Sequence, residues 1–100
     1  MKEYKVIISP AAQNDFQDVT DHLDTLSQEA ATAYFDSFVE KIKTLKSSPE
    51  SSPLARDPQL RLRRYRLLPI EKHIVFYVIS GSNVEIRRIL YARRQYERLV

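Results

Sequence analysis

The 100-residue sequence contains no cysteine and no tryptophan, a single glycine, and two histidines, His22 and His73. The absence of cysteine excludes a disulfide framework and a thiolate metal site. Two histidines far apart in sequence would need carboxylates to complete a zinc site, so we expect neither a metal nor another cofactor. With one glycine the chain has no glycine-rich phosphate loop, and none of its serines stands in a nucleophile-elbow pattern.

Long apolar runs are also missing. No segment approaches the roughly 20 apolar residues that span a bilayer. The first ten residues hold only three consecutive aliphatic side chains, residues 6–8, which is too few for the apolar centre of a signal peptide. At 43% hydrophobic residues the chain can still build one modest core. We therefore predict a single domain over residues 1–100, located in the cytoplasm and without a membrane partner.

Arginine is absent from the first half of the chain and abundant in the second. Residues 1–50 carry five lysines and nine acidic residues, a net charge of −4, whereas residues 51–100 carry one lysine, ten arginines and four acidic residues, a net charge of +7. Guanidinium groups suit planar, bidentate contacts with carboxylates and phosphates. Because charge of one sign attracts an oppositely charged partner, we expect the second half to bind a polyanion or an acidic protein.

Two apolar stripes with helical spacing follow a short β run at residues 5–8. Ser9 and Pro10 are typical of a helix N-cap and first helical residue, and Ser27 is a second cap. Spacings of 4, 3, 4 and 3 residues connect Ala12, Phe16, Val19, Leu23 and Leu26, and again Ala31, Phe35, Phe38, Ile42 and Leu45. The stripes predict an antiparallel helical hairpin with a buried apolar face. Its outer face would be acidic, formed by Asp15, Asp18, Asp21 and Asp24.

The second half of the sequence predicts a β-meander. Three prolines and several serines in residues 47–58 indicate an irregular connector, either mobile or in contact with a partner. Strands are predicted at residues 60–68, 73–79 and 84–91, with turns at 69–72 and around Gly81. The fold class is therefore α+β in the order β-α-α-β-β-β, with the helical hairpin packed on one face of a mainly antiparallel four-stranded sheet.

Two irregularities in the strands bear on function. Residues 74–79 are apolar on both faces, so this strand needs cover on both sides. The helical hairpin covers one side, and the chain's own tail or a partner must cover the other. In the last strand Arg87 and Arg88 interrupt the alternation: either a β-bulge lets Ile86 and Ile89 share a face, or Arg88 points toward the core.

Basic and aromatic residues alternate closely in the second half of the chain. Such a set can neutralise phosphates and stack bases. It could also cut RNA without a metal, because arginines would stabilise the charge of the phosphorane while a histidine or tyrosine moved protons. A further alternative for the same residues is a basic nucleic-acid-binding module without toxicity.

The sequence resembles the RelE/ParE family of toxins from type II toxin–antitoxin systems over nearly its whole length. The resemblance is carried by residues 72–77 (KHIVFY), residues 84–94 (VEIRRILYARR) and residues 6–12 (VIISPAA), followed by Asp15 and Phe16. It is closer to ParE-like members, which poison DNA gyrase, than to RelE-like members, which cleave mRNA in the ribosome. Ribonuclease members commonly have an arginine at the position of His73.

The resemblance implies a growth-inhibiting toxin that a cognate antitoxin neutralises with an acidic, amphipathic C-terminal segment. The target would be DNA gyrase or, alternatively, the ribosome with its mRNA. Residues expected to bind the target are Arg61, Arg63, Arg66, Arg87, Arg88, Tyr96 and Arg98. If the chain is a nuclease, the expected catalytic residues are Arg64, His73, Tyr91, Arg93 and Arg94.

Overall fold

The computed structural model describes residues 3–92. The elements in chain order are strand β1 (Lys5–Ile8), helices α1 (Pro10–Leu26) and α2 (Gln28–Ser47), a 3₁₀ turn (Pro49–Ser51), helix α3 (Pro58–Leu62), and strands β2 (Arg66–Ile70), β3 (His73–Ser80) and β4 (Asn83–Tyr91). The predicted catalytic residues Arg93 and Arg94 and the predicted target-binding residues Tyr96 and Arg98 lie outside the described residues. Within residues 3–92, no helix combines the length and the apolar character needed to cross a bilayer.

The helical hairpin forms as its caps predict. The Ser9 side chain accepts a hydrogen bond from the Ala12 N–H at 3.1 Å, with Pro10 in the first turn of α1. Ser27 ends α1 and also caps α2, where its side chain accepts from the Ala30 N–H at 2.8 Å. Each cap satisfies a main-chain donor that the first turn of a helix leaves unpaired.

One position of the apolar stripe predicted for α2 differs in the structure. Tyr34 is buried, whereas Phe35 is 51% exposed. The Tyr34 ring lies between Phe16 and His73, with centroid distances of 6.2 and 5.5 Å, and Phe35 contacts Phe16 only edge-on. The expectation that Phe35 belongs to the core was therefore wrong, because the sheet offers a ring partner to Tyr34.

The four strands form one sheet in the order β1-β4-β3-β2. β1 runs parallel to β4, and the pairs β4-β3 and β3-β2 are antiparallel, so the predicted α+β class and the helical hairpin on a mainly antiparallel sheet are confirmed. Both hairpin turns have two residues, and the first of each, Glu71 and Gly81, has a positive φ, 55° and 60°. The turn predicted at 69–72 is shorter than expected, because Pro69 and Ile70 still belong to β2.

Two hydrophobic clusters lie on opposite faces of the sheet. Between sheet and helices, Val75 and Tyr77 pack against α1 and α2. On the other face, Phe76 packs against Leu60 and Tyr65. The sequence predicts that β3 needs cover on both sides, and among the described residues the segment before β2 covers this second side; the tail, one of the two covers expected, lies outside the described residues.

This segment corrects two predictions. Residues 60–68 were expected to form a strand, but Pro58–Leu62 is helical and β2 begins only at Arg66. The Asp57 carboxylate caps α3 by accepting from the Leu60 N–H at 3.0 Å, and Pro58 fits the first helical position. The connector is also anchored at its start, where the buried Tyr77 hydroxyl donates to the Pro49 carbonyl, so its irregular sequence folds against the sheet.

The interruption at Arg87 is a β-bulge. Phe76 pairs with Arg88 and Tyr77 pairs with Ile86, which leaves Arg87 as the extra residue of β4. Ile86 and Ile89 consequently both reach the core beneath the helices. Of the two alternatives predicted for this strand, the bulge is correct, and it turns the exposed Arg87 to the other face of the sheet.

Candidate functional site

The candidate site lies where β3 extends beyond the start of β2. β2 begins at Arg66, opposite Tyr77, so residues 78–80 have no β2 partner. We name this gap the arginine notch and define it by the side chains of Arg63, Arg64, Arg66 and Arg87 around residues 78–80 of β3. It comprises a groove of about 370 Å³ and an adjoining groove of about 200 Å³ that shares Arg64 and Ile79 with the first.

The end of α3 places Arg63 and Arg64 in the notch. The Tyr65 N–H donates to the Leu60 carbonyl at 3.0 Å and the Arg64 N–H to the Arg61 carbonyl at 2.9 Å. These two bonds form a Schellman motif, whose residue after the C-cap adopts a left-handed conformation and is usually glycine. Here that residue is Arg64, with φ of 61°. The chain thus holds an arginine in a backbone conformation that costs an L-residue on the order of 1 kcal/mol.

We expect Arg64→Gly to raise the free energy of unfolding by about 0.5–1 kcal/mol, because glycine adopts the left-handed conformation without a steric penalty. Thermal melts would detect this as a higher midpoint. Arg63→Gly is the matched control: the φ of Arg63 is −86°, so glycine there relieves no strain and should not stabilise. A lower midpoint for Arg64→Gly than for the wild type would show that the Arg64 side chain is needed for folding.

The notch carries more positive than negative charge. The Arg66 guanidinium donates to the neutral carbonyl of Ser52 at 2.6 Å, and the Arg63 guanidinium lies 5.1 Å from the centre of the Tyr65 ring. Arg87 bonds the Glu85 carboxylate at 2.7 and 3.2 Å, and this hydrogen bond is the main cause of its raised pKa. Among the described residues, the four guanidinium groups thus have the carboxylates of Glu85 and Glu50 beside them.

Arg88 does not belong to the notch. Its guanidinium binds the Asp15 carboxylate through Nε at 2.7 Å and a terminal nitrogen at 2.9 Å, and the same carboxylate accepts from the Ile89 N–H at 2.9 Å. The hydrogen bond to Asp15 is the main cause of the raised Arg88 pKa. Because β1 ends opposite Ile86, Asp15 caps the edge of β4 that β1 leaves open. Arg88, predicted to bind a target, therefore holds α1 against the sheet.

Asp15 is a residue whose role the sequence reasoning missed. It was assigned to the acidic outer face of α1, yet its side chain is only 12% exposed. The interruption of the apolar alternation at Arg88 was the available signal, since a half-buried arginine needs an acidic partner. No sequence pattern identified Asp15 as that partner, because the two residues are 73 positions apart.

His73 lies at the opposite end of the sheet from the notch. Its ring contacts Tyr34 and Tyr91 edge-on, at centroid distances of 5.5 and 5.6 Å. Its Nδ1 atom is buried and has no hydrogen-bond partner among the described residues. Burial, followed by the neighbouring charge of His22, lowers the His73 pKa below its ordinary value of 6.5, so the imidazole is neutral at neutral pH.

The three predicted nuclease residues that the structure describes, Arg64, His73 and Tyr91, do not converge on one point. Arg64 adjoins Ile79, while His73 and Tyr91 face each other at the far end of β3. Ile79 lies six positions after His73 along β3, which corresponds to about 20 Å at roughly 3.3 Å per residue. Of the predicted target-binding residues, Arg63, Arg66 and Arg87 come together in the notch, and Arg61 is exposed on α3 beside it. Across residues 3–92, no cluster of three acidic or histidine side chains could hold a metal ion.

We expect the buried His73 to make stability depend on pH. Its pKa is lowered in the folded state, so the unfolded chain takes up the proton first when the pH falls below about 6.5. The stability that the neutral His73 contributes should therefore be complete above that pH and should decline toward pH 5. Urea titrations of the wild type and His73→Gln between pH 5 and pH 8 would test this. Parallel pH profiles of the two proteins would contradict the assignment.

The comparisons with known proteins agree with the fold. A family model described as the ParE toxin of type II toxin–antitoxin system, parDE, matches residues 6–96. A solved structure of a chromosomal ParDE toxin–antitoxin system from P. aeruginosa has a chain with a TM-score of 0.73 and 20% sequence identity. The match covers 91% of this chain and 98% of that one. A search of curated proteins finds no match.

Proposed function

This chain belongs to the ParE toxin family of type II toxin–antitoxin systems, and from that membership we propose that it inhibits growth by binding and poisoning DNA gyrase. The observation that carries the proposal is the arginine notch, an open basic surface built for binding rather than for chemistry. Arg63, Arg64 and Arg87 are exposed residues beside the outer end of β3, whereas Arg66 is half-buried. The buried ring of Tyr65 lies against the Arg63 guanidinium.

The position of His73 favours gyrase over mRNA cleavage. A metal-independent ribonuclease needs an acid or base and charge-stabilising groups within hydrogen-bond reach of one phosphate. In the nuclease hypothesis His73 supplies the acid or base. It lies about 20 Å along β3 from Ile79, the strand residue that Arg64 adjoins. Its lowered pKa and its position between two tyrosine rings also reduce its access to a substrate proton.

We further propose that a cognate antitoxin neutralises the toxin through an acidic, amphipathic C-terminal segment. Two features support this partner. The net positive charge of residues 51–100 complements an acidic chain. A groove of about 440 Å³ lies beside the tip of the helical hairpin and is lined by Val19, Leu23 and Leu26. Leu26 is 67% exposed, so the groove suits the apolar side of an amphipathic segment.

Two assays with the same purified protein separate the candidate targets. In a gyrase supercoiling assay we expect the toxin to abolish supercoiling, and in a translating extract we expect mRNA to stay intact. Addition of the antitoxin should restore supercoiling. Codon-positioned mRNA cuts together with normal supercoiling would refute the proposal and establish the ribonuclease alternative. Binding to nucleic acid without an effect on either assay or on growth would instead establish the basic module.

A further inference from the structure

We propose that the arginine notch is a phosphodiester-binding site, and that it contacts the backbone of the DNA on which gyrase acts. The inference rests on the proposed gyrase target and names what this surface of the toxin touches there. It is carried by the hydrogen-bond chemistry of the notch, by the burial of its aromatic rings, and by the short length of strand edge that it exposes.

The notch concentrates hydrogen-bond donors. In the β2-β3 hairpin, Ile70 and His73 close a two-residue turn, so hydrogen-bonded pairs recur at every second residue and end at Arg66 and Tyr77. The next main-chain N–H and C=O on this side belong to Ile79, where β2 no longer continues. The Ile79 N–H and the exposed Ser80 hydroxyl therefore lie among the guanidinium groups of Arg63 and Arg64. An anion with several acceptor oxygens satisfies such a set.

Arg64 occupies a position in the notch where the fold itself favours glycine. Arg64 occupies a left-handed position that glycine would fill without strain. Its side chain borders both grooves of the notch, and backbone strain of this kind is concentrated at binding sites. Arginine also binds phosphate through two parallel N–H donors. The left-handed position of Arg64 thus places a guanidinium, a group whose geometry suits a phosphate, between the two grooves of the notch.

The contact is with phosphates and not with bases. Stacking of bases needs an exposed aromatic face, but Tyr65 is only 6% exposed and Phe76 is fully buried. The apolar floor is formed by Val78 and Ile79, which are half-buried in β3. Binding at the notch should therefore be independent of DNA sequence and strongly dependent on salt.

An acidic peptide fits the notch less well than a phosphodiester chain. A peptide that adds to a sheet edge needs a run of free main-chain groups, and β3 offers only residues 78–80 beyond β2. A peptide that docks through side chains needs an apolar pocket for an anchor residue. Leu62, the residue before Arg63, offers no such pocket, because its own side chain is 83% exposed.

The test compares two variants that each lose two positive charges. Arg63→Gln/Arg64→Gly removes charge from the notch, and Lys41→Gln/Lys43→Gln removes it from the exposed face of α2. Fluorescence anisotropy with two labelled DNA duplexes of unrelated sequence measures the affinity at several salt concentrations. We expect the notch variant to bind both duplexes at least tenfold more weakly and its log–log salt slope to fall by about two. The lysine variant should stay within twofold of the wild type.

Three results would overturn the inference: equal losses of DNA affinity in the two variants, a marked preference of the wild type for one duplex, or unchanged DNA binding with a loss of antitoxin binding in the notch variant. The last would assign the notch to the antitoxin. Thermal melts confirm that both variants are folded. A supercoiling assay separates this inference from the proposed function. If the wild type leaves gyrase active, the gyrase target is wrong. If the wild type and the notch variant stop gyrase equally, the target stands and the DNA contact is wrong.

Discussion

Leu60→Ala should lower the free energy of unfolding by about 2–4 kcal/mol, because it removes a buried side chain from the second hydrophobic cluster and leaves a cavity. Leu60 is 1% exposed and packs with Phe76 and Tyr65 on the face of the sheet away from the helices. For a domain of this size the loss corresponds to roughly 4–8 °C of melting temperature per kcal/mol. Urea denaturation with a constant m-value would give the free energy directly.

Leu62→Ala is the matched control two residues away on the same helix. Leu62 is 83% exposed, so its truncation should change stability by less than about 0.5 kcal/mol. A large effect at Leu60 beside a small one at Leu62 would show that α3 is docked on the sheet. If both variants melted like the wild type, the segment before β2 would not be part of the folded core, and the placement of Arg63 and Arg64 would lose its support.

Asp15→Ala should cost about 2–4 kcal/mol, because it removes the shared acceptor of the Arg88 guanidinium and the Ile89 N–H. Arg88 is only 27% exposed in its side chain, and a half-buried charge that loses its partner is more costly than the pair was favourable. Differential scanning calorimetry would measure the loss as a lower melting temperature. The helical hairpin should loosen from β4, which hydrogen exchange of the Ile89 amide would report.

Two variants bracket the Asp15 result. Asp15→Asn keeps an oxygen that can accept from the Ile89 N–H but loses the charge, so its cost should lie between those of the wild type and Asp15→Ala. Asp18→Ala removes an exposed carboxylate from the same helix and should change stability by less than about 0.5 kcal/mol. Equal melting temperatures for Asp15→Ala and Asp18→Ala would contradict the structural role of the Asp15–Arg88 pair.

Local patterns predicted the parts of the fold that depend on neighbouring residues. The caps at Ser9 and Ser27, the helical hairpin and the strand from His73 follow from hydrogen-bonding side chains and apolar spacing within a few residues. The bulge at Arg87 was predicted as one of two alternatives because it interrupts a regular alternation. The same patterns predicted the order of the elements. Family resemblance added the toxin family, and the family match over residues 6–96 confirms that recognition.

Long-range contacts account for what local patterns could not predict. Leucine and arginine alternate in residues 60–62, a pattern typical of a strand, but the Asp57 cap and the apolar face of β3 favour one helical turn. Tyr34 replaces Phe35 in the core because of His73 on the sheet. The notch exists only because β3 is longer than β2, which no pattern in residues 60–66 reveals. Arginine content predicted a basic surface, but only the fold determines that three of the expected residues meet there.

The apolar second face of β3 therefore has a different consequence from the one that its sequence indicates. An exposed apolar strand would have required a partner for folding. The chain instead covers this face with Leu60 and Tyr65, and the same segment carries the exposed Arg61 on α3 and the exposed Arg63 and Arg64 directly after it. The same short segment completes the core and presents the charge, so folding and the binding of a polyanion are served by adjacent side chains.

The most direct test of this account is the toxin concentration that halves gyrase supercoiling, measured for the wild type, Arg63→Gln/Arg64→Gly and Lys41→Gln/Lys43→Gln. We predict inhibition by the wild type and the lysine variant at similar concentrations, and at least tenfold weaker inhibition by the notch variant. Supercoiling that continues undisturbed at every wild-type concentration, or three superimposable inhibition curves, would contradict the claim that this ParE-family chain acts on gyrase through its arginine notch.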